Sequence, residues 1–211
     1  MPRQNRVTPF GDLVAVPERG TLMGNRGVLH DDAGAIRRPW QLKRWILCVL
    51  QFRGRKRVVM SPGRYTELFF LDEATGLAAG HRPCAECQHQ RYLAYREAWM
   101  AGNPRLARKR TPSAIEIDDR LHAERVGEDR EKVRWTADIH ELPDGVFVTL
   151  PGDGDTACLL WRGELLAWSA GGYGERGRRP KRGRVSVLTP ASTVAAIRAG
   201  FVPTVHPSAG D

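Results

Sequence analysis

Short apolar runs separated by Gly, Asp and Pro dominate residues 1 to about 71 and predict β structure. The segment KRWILCVLQF (43–52) is apolar at Ile46, Cys48 and Leu50 and also at the intervening Leu47 and Val49. A strand that is apolar on both faces is expected in the interior of a sheet, with a neighbouring strand on each side. This segment is therefore predicted to be a central strand.

Three helices are predicted in the middle of the chain. DEATGLAAG (72–80) has Asp72 as its N-cap and ends at Gly80. A second helix is predicted from Cys84 to about residue 101, and a third over 113–133, where Ser113 and Glu116 have the spacing of a capping box. Between them, RLARKRTPS (105–113) has the composition of a basic linker.

β patterns return after the third helix, in LPDGVFVTL, TACLLW, GELLAW and RVSVLTP. TPASTVAAIRAG (189–200) then predicts a closing helix, with Thr189 or Ser192 as its cap and Gly200 at its end. The fold class predicted from this order is α+β. We expect a β-rich module with a strand–helix–CxxC unit (1–103), a basic linker and helix (104–140), and a small, barrel-like β-rich module closed by a short helix (141–211).

Charge favours a polyanionic partner. The net charge is +9 and the pI about 9.9, which indicates nucleic acid, DNA above all, although a solvated basic surface has the same composition. The cations are clustered, in a turn near residue 55, in the linker and in GYGERGRRPKRGR (172–184), which its Gly and Pro residues predict to be a loop and where Tyr173 is placed to stack on bases. The predicted phosphate contacts are Arg53, Arg55, Lys56, Arg57, Arg176, Arg178, Arg179, Lys181, Arg182 and Arg184, with Arg105, Arg108, Lys109 and Arg110 in the linker.

The sequence predicts a cytoplasmic chain without a membrane partner. No apolar run has the length of a membrane span, and the first residues lack the apolar stretch of a secretory signal. Four cysteines in a chain of 211 residues do not form a disulfide scaffold. They are expected to be core thiols or metal ligands, and the pattern indicates no oligomeric state.

The stretch HRPCAEC (81–87) presents the most specific chemistry. Two cysteines at this spacing can bind a tetrahedral metal ion, cycle through a disulfide or supply an activated thiolate. A Zn²⁺ site needs further ligands besides Cys84 and Cys87, and Cys48 and His89 are the first candidates, with His81 and Cys158 also considered. The alternative is that both cysteines pack as small hydrophobic side chains.

ELFFLDEATGLAAGHRPCAEC resembles the zinc-binding domain of the Ada family of bacterial DNA-alkylation repair and response proteins. The match rests on Ala79 to Cys84 and on Cys87, and extends backward to about residue 45. It implies a small α+β unit, zinc and a DNA-facing surface in repair or damage recognition. The two other family cysteines are replaced here by Met60 and Arg64, and a thioether cannot take part in the family's methyl transfer.

Asp118, His122 and Glu124 lie on one predicted helix, with Asp118 and His122 four residues apart. Such a group could perform acid–base or metal-assisted work on a nucleic acid, as in a nuclease or a DNA glycosylase, with Cys84 and Cys87 as the other candidate centre. A salt-bridged helix surface is the alternative. A metal- or redox-responsive interaction protein is the remaining interpretation of the cysteines.

Overall fold

The structure, a computed structural model, describes residues 1–56, 58–107 and 110–210. Within these ranges the strands form two six-stranded sheets, accompanied by four α-helices. The first sheet has the order β2-β1-β5-β3-β4-β6. Its strands are β1 (Gln4–Val7), β2 (Leu13–Ala15), β3 (Leu22–Asn25), β4 (Ile46–Cys48), β5 (Leu68–Phe70) and β6 (Arg82–Pro83).

The predicted central strand is confirmed, although β4 is shorter than the apolar run. β4 pairs with β3 on one side and with β6 on the other, antiparallel and parallel respectively. Leu47 and Cys48 are buried, as a strand with neighbours on both sides requires. The parallel pairing brings the chain just before Cys84 alongside the strand that ends in Cys48.

Helix α1 (Glu73–Ala78) begins as predicted, because the Asp72 carboxylate accepts from the Thr75 amide at 2.8 Å. Helix α2 (His89–Gly102) begins later than predicted. The Cys84 amide donates to the Leu47 carbonyl oxygen at 2.8 Å, which holds Cys84 in extended backbone beside β4 and delays the first helical turn.

Helix α3 (Ala114–Arg125) has the predicted capping box between Ser113 and Glu116. It ends at Arg125, well before residue 133, because the chain reverses there. Val126 and Lys132 form an antiparallel bridge, and the Gly127 amide donates to the Glu131 carbonyl oxygen at 3.0 Å.

The second sheet is antiparallel throughout and has the order β11-β10-β9-β8-β12-β7. It is open, with β7 and β11 as edges, so the expected barrel-like closure is wrong. Its strands are β7 (Trp135–Asp138), β8 (Phe147–Leu150), β9 (Asp153–Trp161), β10 (Glu164–Ser169), β11 (Gly172–Arg178) and β12 (Arg184–Val187).

Four of these strands were predicted, whereas β7 and β11 were not. The Gly- and Arg-rich segment expected to be a loop forms β11, which pairs with β10 from Glu164–Arg178 to Ser169–Gly172. Helix α4 (Ala191–Arg198) has no side-chain cap. Thr189 and Ser192 bond elsewhere: the Thr189 hydroxyl accepts from the Phe147 amide, and Ser192 donates to Glu124.

The hydrophobic core contains residues from all three predicted parts of the chain. Its largest cluster packs Leu77 and Tyr95 with Ile117 of α3, Val148 of β8 and Val194 of α4. β7 lies in the predicted linker yet forms an edge of the second sheet. None of the helices in the described residues is long and apolar enough to cross a bilayer.

Candidate metal centre and basic cavity

Cys48, Cys84 and Cys87 form a cluster that could hold a metal ion, with their sulfur atoms all within 4.8 Å of one another. The register of β4 and β6 produces this cluster, because Leu47 lies opposite Pro83 and each of these two residues is followed by a cysteine. Tetrahedral Zn–S bonds of about 2.3 Å require sulfur atoms about 3.8 Å apart, which this cluster approaches. The Gln88 side-chain amide also donates to the Leu47 carbonyl oxygen, at 2.9 Å, and ties the CxxC turn to β4.

Hydrogen bonds in the cluster favour a thiolate at Cys84. The Cys48 thiol, followed by the amides of Cys87 and Glu86, lowers the pKa of Cys84 to about 5. The same contact with Cys84 raises the pKa of Cys48, and burial raises that of Cys87 despite a hydrogen bond from the Val49 amide. Amide donors aimed at cysteine sulfur stabilise the charged form that binds metals.

The other metal-ligand candidates lie outside this cluster. His89 is exposed, and its Nδ1 lies 2.9 Å from the Ala85 carbonyl oxygen. His81 is fully buried and accepts from Arg26 Nε at 3.2 Å, while Cys158 lies on β9 in the main core. In the described part of the chain, no further His, Cys, Asp or Glu completes a fourth position.

Some of the predicted phosphate contacts bond to other groups of the protein, whereas others are exposed and form no ion pair in the described residues. Arg55 pairs with Glu86 at 2.6 Å, Arg176 pairs with Glu164, and half-buried Arg179 donates to the carbonyl oxygens of the 139–142 turn. Arg110 of the linker pairs with Glu116. The remaining described cations at these positions are exposed and form no ion pair within the described ranges: Arg53, Lys56, Arg105, Arg178, Lys181, Arg182 and Arg184. Arg57, Arg108 and Lys109 lie outside the described residues.

Tyr173 is not placed to stack on a base. Its side chain is buried against Phe147, and its hydroxyl donates to the Asp72 carboxylate at 2.6 Å. This ring therefore joins β11 to the cap of α1 rather than facing solvent, which makes the stacking prediction wrong.

Asp118, His122 and Glu124 are not brought together as a catalytic group. Asp118 forms a buried bidentate ion pair with Arg82, at 2.8 and 2.7 Å. Glu124 accepts from Ser192 and Arg120, and His122 packs edge-on against Trp40 at a ring-centre distance of 4.6 Å. Each of the three has separate partners, and the contacts of Asp118 and Glu124 tie α3 to β6 and to the start of α4.

A basic cavity of about 490 Å³ was not predicted. Arg26, Arg125, Lys132 and Trp45 line it, and both guanidinium carbons lie 4.0 Å from the Trp45 ring centre. Burial lowers the pKa of each of the two arginines to about 9, and burial with the neighbouring arginines lowers that of Lys132 to about 7.

No spacing rule could have found this cavity, since Arg26 lies far along the chain from the end of α3 and the turn after it, which carry Arg125 and Lys132. The only local signal is Gly80, which has a positive φ of +92°. A Cβ there would lie 2.5 Å from Arg125 Cδ, so only glycine lets that arginine pass beneath the end of α1.

Comparisons with family models, with curated proteins and with solved structures found no match to this chain. The Ada-type resemblance of residues 79–87 therefore stays a prediction.

Proposed function

We propose that this chain is a zinc-binding protein whose Zn²⁺ is held by Cys48, Cys84 and Cys87. The observation that carries the proposal is the convergence of three sulfur atoms from β4 and the CxxC turn. Thiolate sulfur favours Zn²⁺ over Mg²⁺ or Ca²⁺, and the amide donors on Cys84 and Cys87 suit bound thiolates.

A zinc ion with these ligands would cross-link two segments of the first sheet. Cys48 ends β4, whereas Cys84 and Cys87 precede α2. With three protein ligands, the fourth position would be filled by water or by an exogenous ligand. The metal would neutralise sulfur charge that is otherwise costly in a largely buried cluster.

Metal content of untagged protein tests this proposal directly. We expect about one zinc per chain by mass spectrometry, lost in Cys48→Ser and in Cys84→Ser. Cys158→Ser is the matched control, because it removes a buried cysteine outside the cluster and should retain the metal. Wild-type protein that stays metal-free after incubation with ZnCl₂, or zinc retained in Cys48→Ser, would refute the proposal.

A nucleic-acid partner is the second candidate function, and the connection from β11 to β12 (residues 178–184) favours it. Arg178, Lys181, Arg182 and Arg184 are exposed there and form no ion pair within the described residues, on a chain of net charge +9. Exposed cations clustered in one connecting segment suit contacts with successive phosphates. DNA-damage recognition, which the Ada-type resemblance implies, is the narrower form of this proposal.

Fluorescence anisotropy with single- and double-stranded DNA and with RNA tests the second candidate. The double variant Lys181→Ala/Arg182→Ala should reduce the slope of log K against log salt by about 0.7–0.9 for each phosphate contact removed. Arg19→Ala/Arg38→Ala makes the same change in net charge at exposed sites elsewhere and should leave most of the slope intact. Equal effects of the two double variants, or no binding at low salt, would exclude the β11–β12 connection as the contact surface.

A further inference from the structure

The basic cavity contains buried positive charge that the protein does not neutralise. Arg26 and Arg125 are 1% and 2% exposed, and no ion pair in the described part of the chain includes either of them or Lys132. Asp12 and Glu131 also line the cavity without pairing with these cations. Uncompensated buried charge costs several kcal/mol per ion, so a site of this kind requires a reason.

Two guanidinium nitrogens at the cavity have no hydrogen-bond acceptor among the described residues. Arg26 donates through Nε to His81 and through Nη1 to the Gly11 carbonyl oxygen, but its buried Nη2 has no partner among the described residues. Arg125 donates through both terminal nitrogens to the carbonyl oxygens of Gly80 and Lys43, and its buried Nε is likewise unpartnered there.

Lys132 adds further donors at the same wall. It is half-buried, and its ammonium group donates to the Ala78 carbonyl oxygen, which uses one of three available protons. His81 is fully buried, and burial with the neighbouring cations holds its pKa well below the ordinary value, so its neutral ring accepts from Arg26 and fixes that guanidinium.

The charge and size of the cavity select among anions. A phosphate monoester has a charge of about −1.5 to −2 and three terminal oxygens, which suits two guanidinium groups and an ammonium better than a single carboxylate does. A volume of about 490 Å³ exceeds what an inorganic anion fills and is in the range of small-molecule sites. Phe10 and Trp40 supply aromatic surface, and the buried Trp40 Nε1 has no partner in the described residues.

We propose that this cavity binds a phosphate monoester of nucleotide size, with the phosphate on Arg26, Arg125 and Lys132 and the organic part against Trp40. The ligand is a free nucleoside monophosphate or the phosphorylated end of a strand, which share this chemistry. The site depends neither on the zinc centre nor on the connection between β11 and β12.

Calorimetric titration of the full chain at low salt tests the proposal. The probes are AMP, adenosine, acetate and two short oligonucleotides that differ only in a 5′-phosphate. We expect AMP to bind while adenosine and acetate do not, and we expect Lys132→Met and Arg125→Met to weaken AMP binding more than about tenfold. Lys181→Met removes one exposed lysine charge outside the cavity and should bind AMP as wild type does.

The results separate the two ligand sources and can overturn the proposal. Stronger binding of the phosphorylated oligonucleotide than of AMP, with no binding of its unphosphorylated partner, assigns a strand end, and the reverse preference assigns a free nucleotide. If Arg125→Met does not fold, Lys132→Met alone decides. No binding of AMP or the phosphorylated strand at millimolar concentration, or equal effects of Lys132→Met and Lys181→Met, overturns the cavity site.

Discussion

The buried ion pair between Arg82 and Asp118 gives the sharpest test of how α3 is anchored. Their side chains are 2% and 6% exposed, and two charge-assisted hydrogen bonds join them. Removing one partner of such a pair leaves an uncompensated buried charge and costs about 3–5 kcal/mol. Asp118→Ala should therefore lower the free energy of unfolding by about that amount and Tm by roughly 6–20 °C for a chain of this size.

Urea denaturation followed by circular dichroism measures this loss, with thermal unfolding as a second reading. Asp119→Ala is the matched control, because Asp119 is the next residue of the same helix and pairs with exposed Lys43 at 3.0 Å. An exposed pair contributes about 0–1 kcal/mol, so this control should be nearly neutral.

The double variant Arg82→Met/Asp118→Leu tests whether the loss of stability comes from the unpaired buried charge or from any change of side chain at this position. Replacing both partners by apolar side chains removes the unpaired charge, so the double variant should be more stable than Asp118→Ala. A loss below about 1 kcal/mol in Asp118→Ala, or a double variant as unstable as the sum of its single changes, would refute the reasoning. The role of Asp118 would then have to be sought outside structural stability.

Three further outcomes follow from contacts described above. Lys132→Met should stabilise the ligand-free protein at pH 6–7, because a lysine with its pKa lowered to about 7 destabilises the folded state most below that pH. The gain in unfolding free energy, measured from urea curves, should shrink towards pH 9, and a gain that stays constant or grows would contradict this prediction. Tyr173→Phe should lose about 1.5–3 kcal/mol of unfolding free energy, because the hydroxyl donates to the Asp72 carboxylate; a neutral change would mean that this bond adds nothing. Gly80→Ala should cost about 1–3 kcal/mol and weaken AMP binding by displacing Arg125, and unchanged calorimetric affinity would show that this guanidinium is not the contact. The charged groups that set the pKa of Lys132 are Arg26, Arg125, Arg134 and Asp12.

Local signals in the sequence were sufficient where one short segment determines the structure. The Asp72 cap and the capping box at Ser113 depend on neighbouring residues, and the apolar run around Cys48 indicated a strand with a neighbour on each side. Cys48, the third cysteine of the cluster, was among the predicted ligands. His89 was wrongly grouped with it, because proximity in sequence to Cys87 does not fix where a side chain points once α2 begins.

Features that depend on packing between distant segments were missed. The basic cavity forms only when the β3–β4 segment, the end of α1 and the turn after α3 meet, so no periodicity precedes it. The Gly- and Arg-rich segment was assigned to a loop because its composition disfavours strands, yet pairing with β10 outweighs that preference. In both cases tertiary contacts decide what local propensity leaves open.

The position of β11 at an edge of the second sheet gives its arginines a consequence that needs no ligand. An edge strand presents unpaired backbone groups to which a strand of another molecule can add, and natural edges resist this with charge. Arg176 and Arg178 lie along that edge, and Lys181 and Arg182 follow in the connection that leaves it. Two copies approaching edge to edge would bring these like charges together. The same residues that suit phosphate contacts therefore also protect the chain against self-association and aggregation through β11.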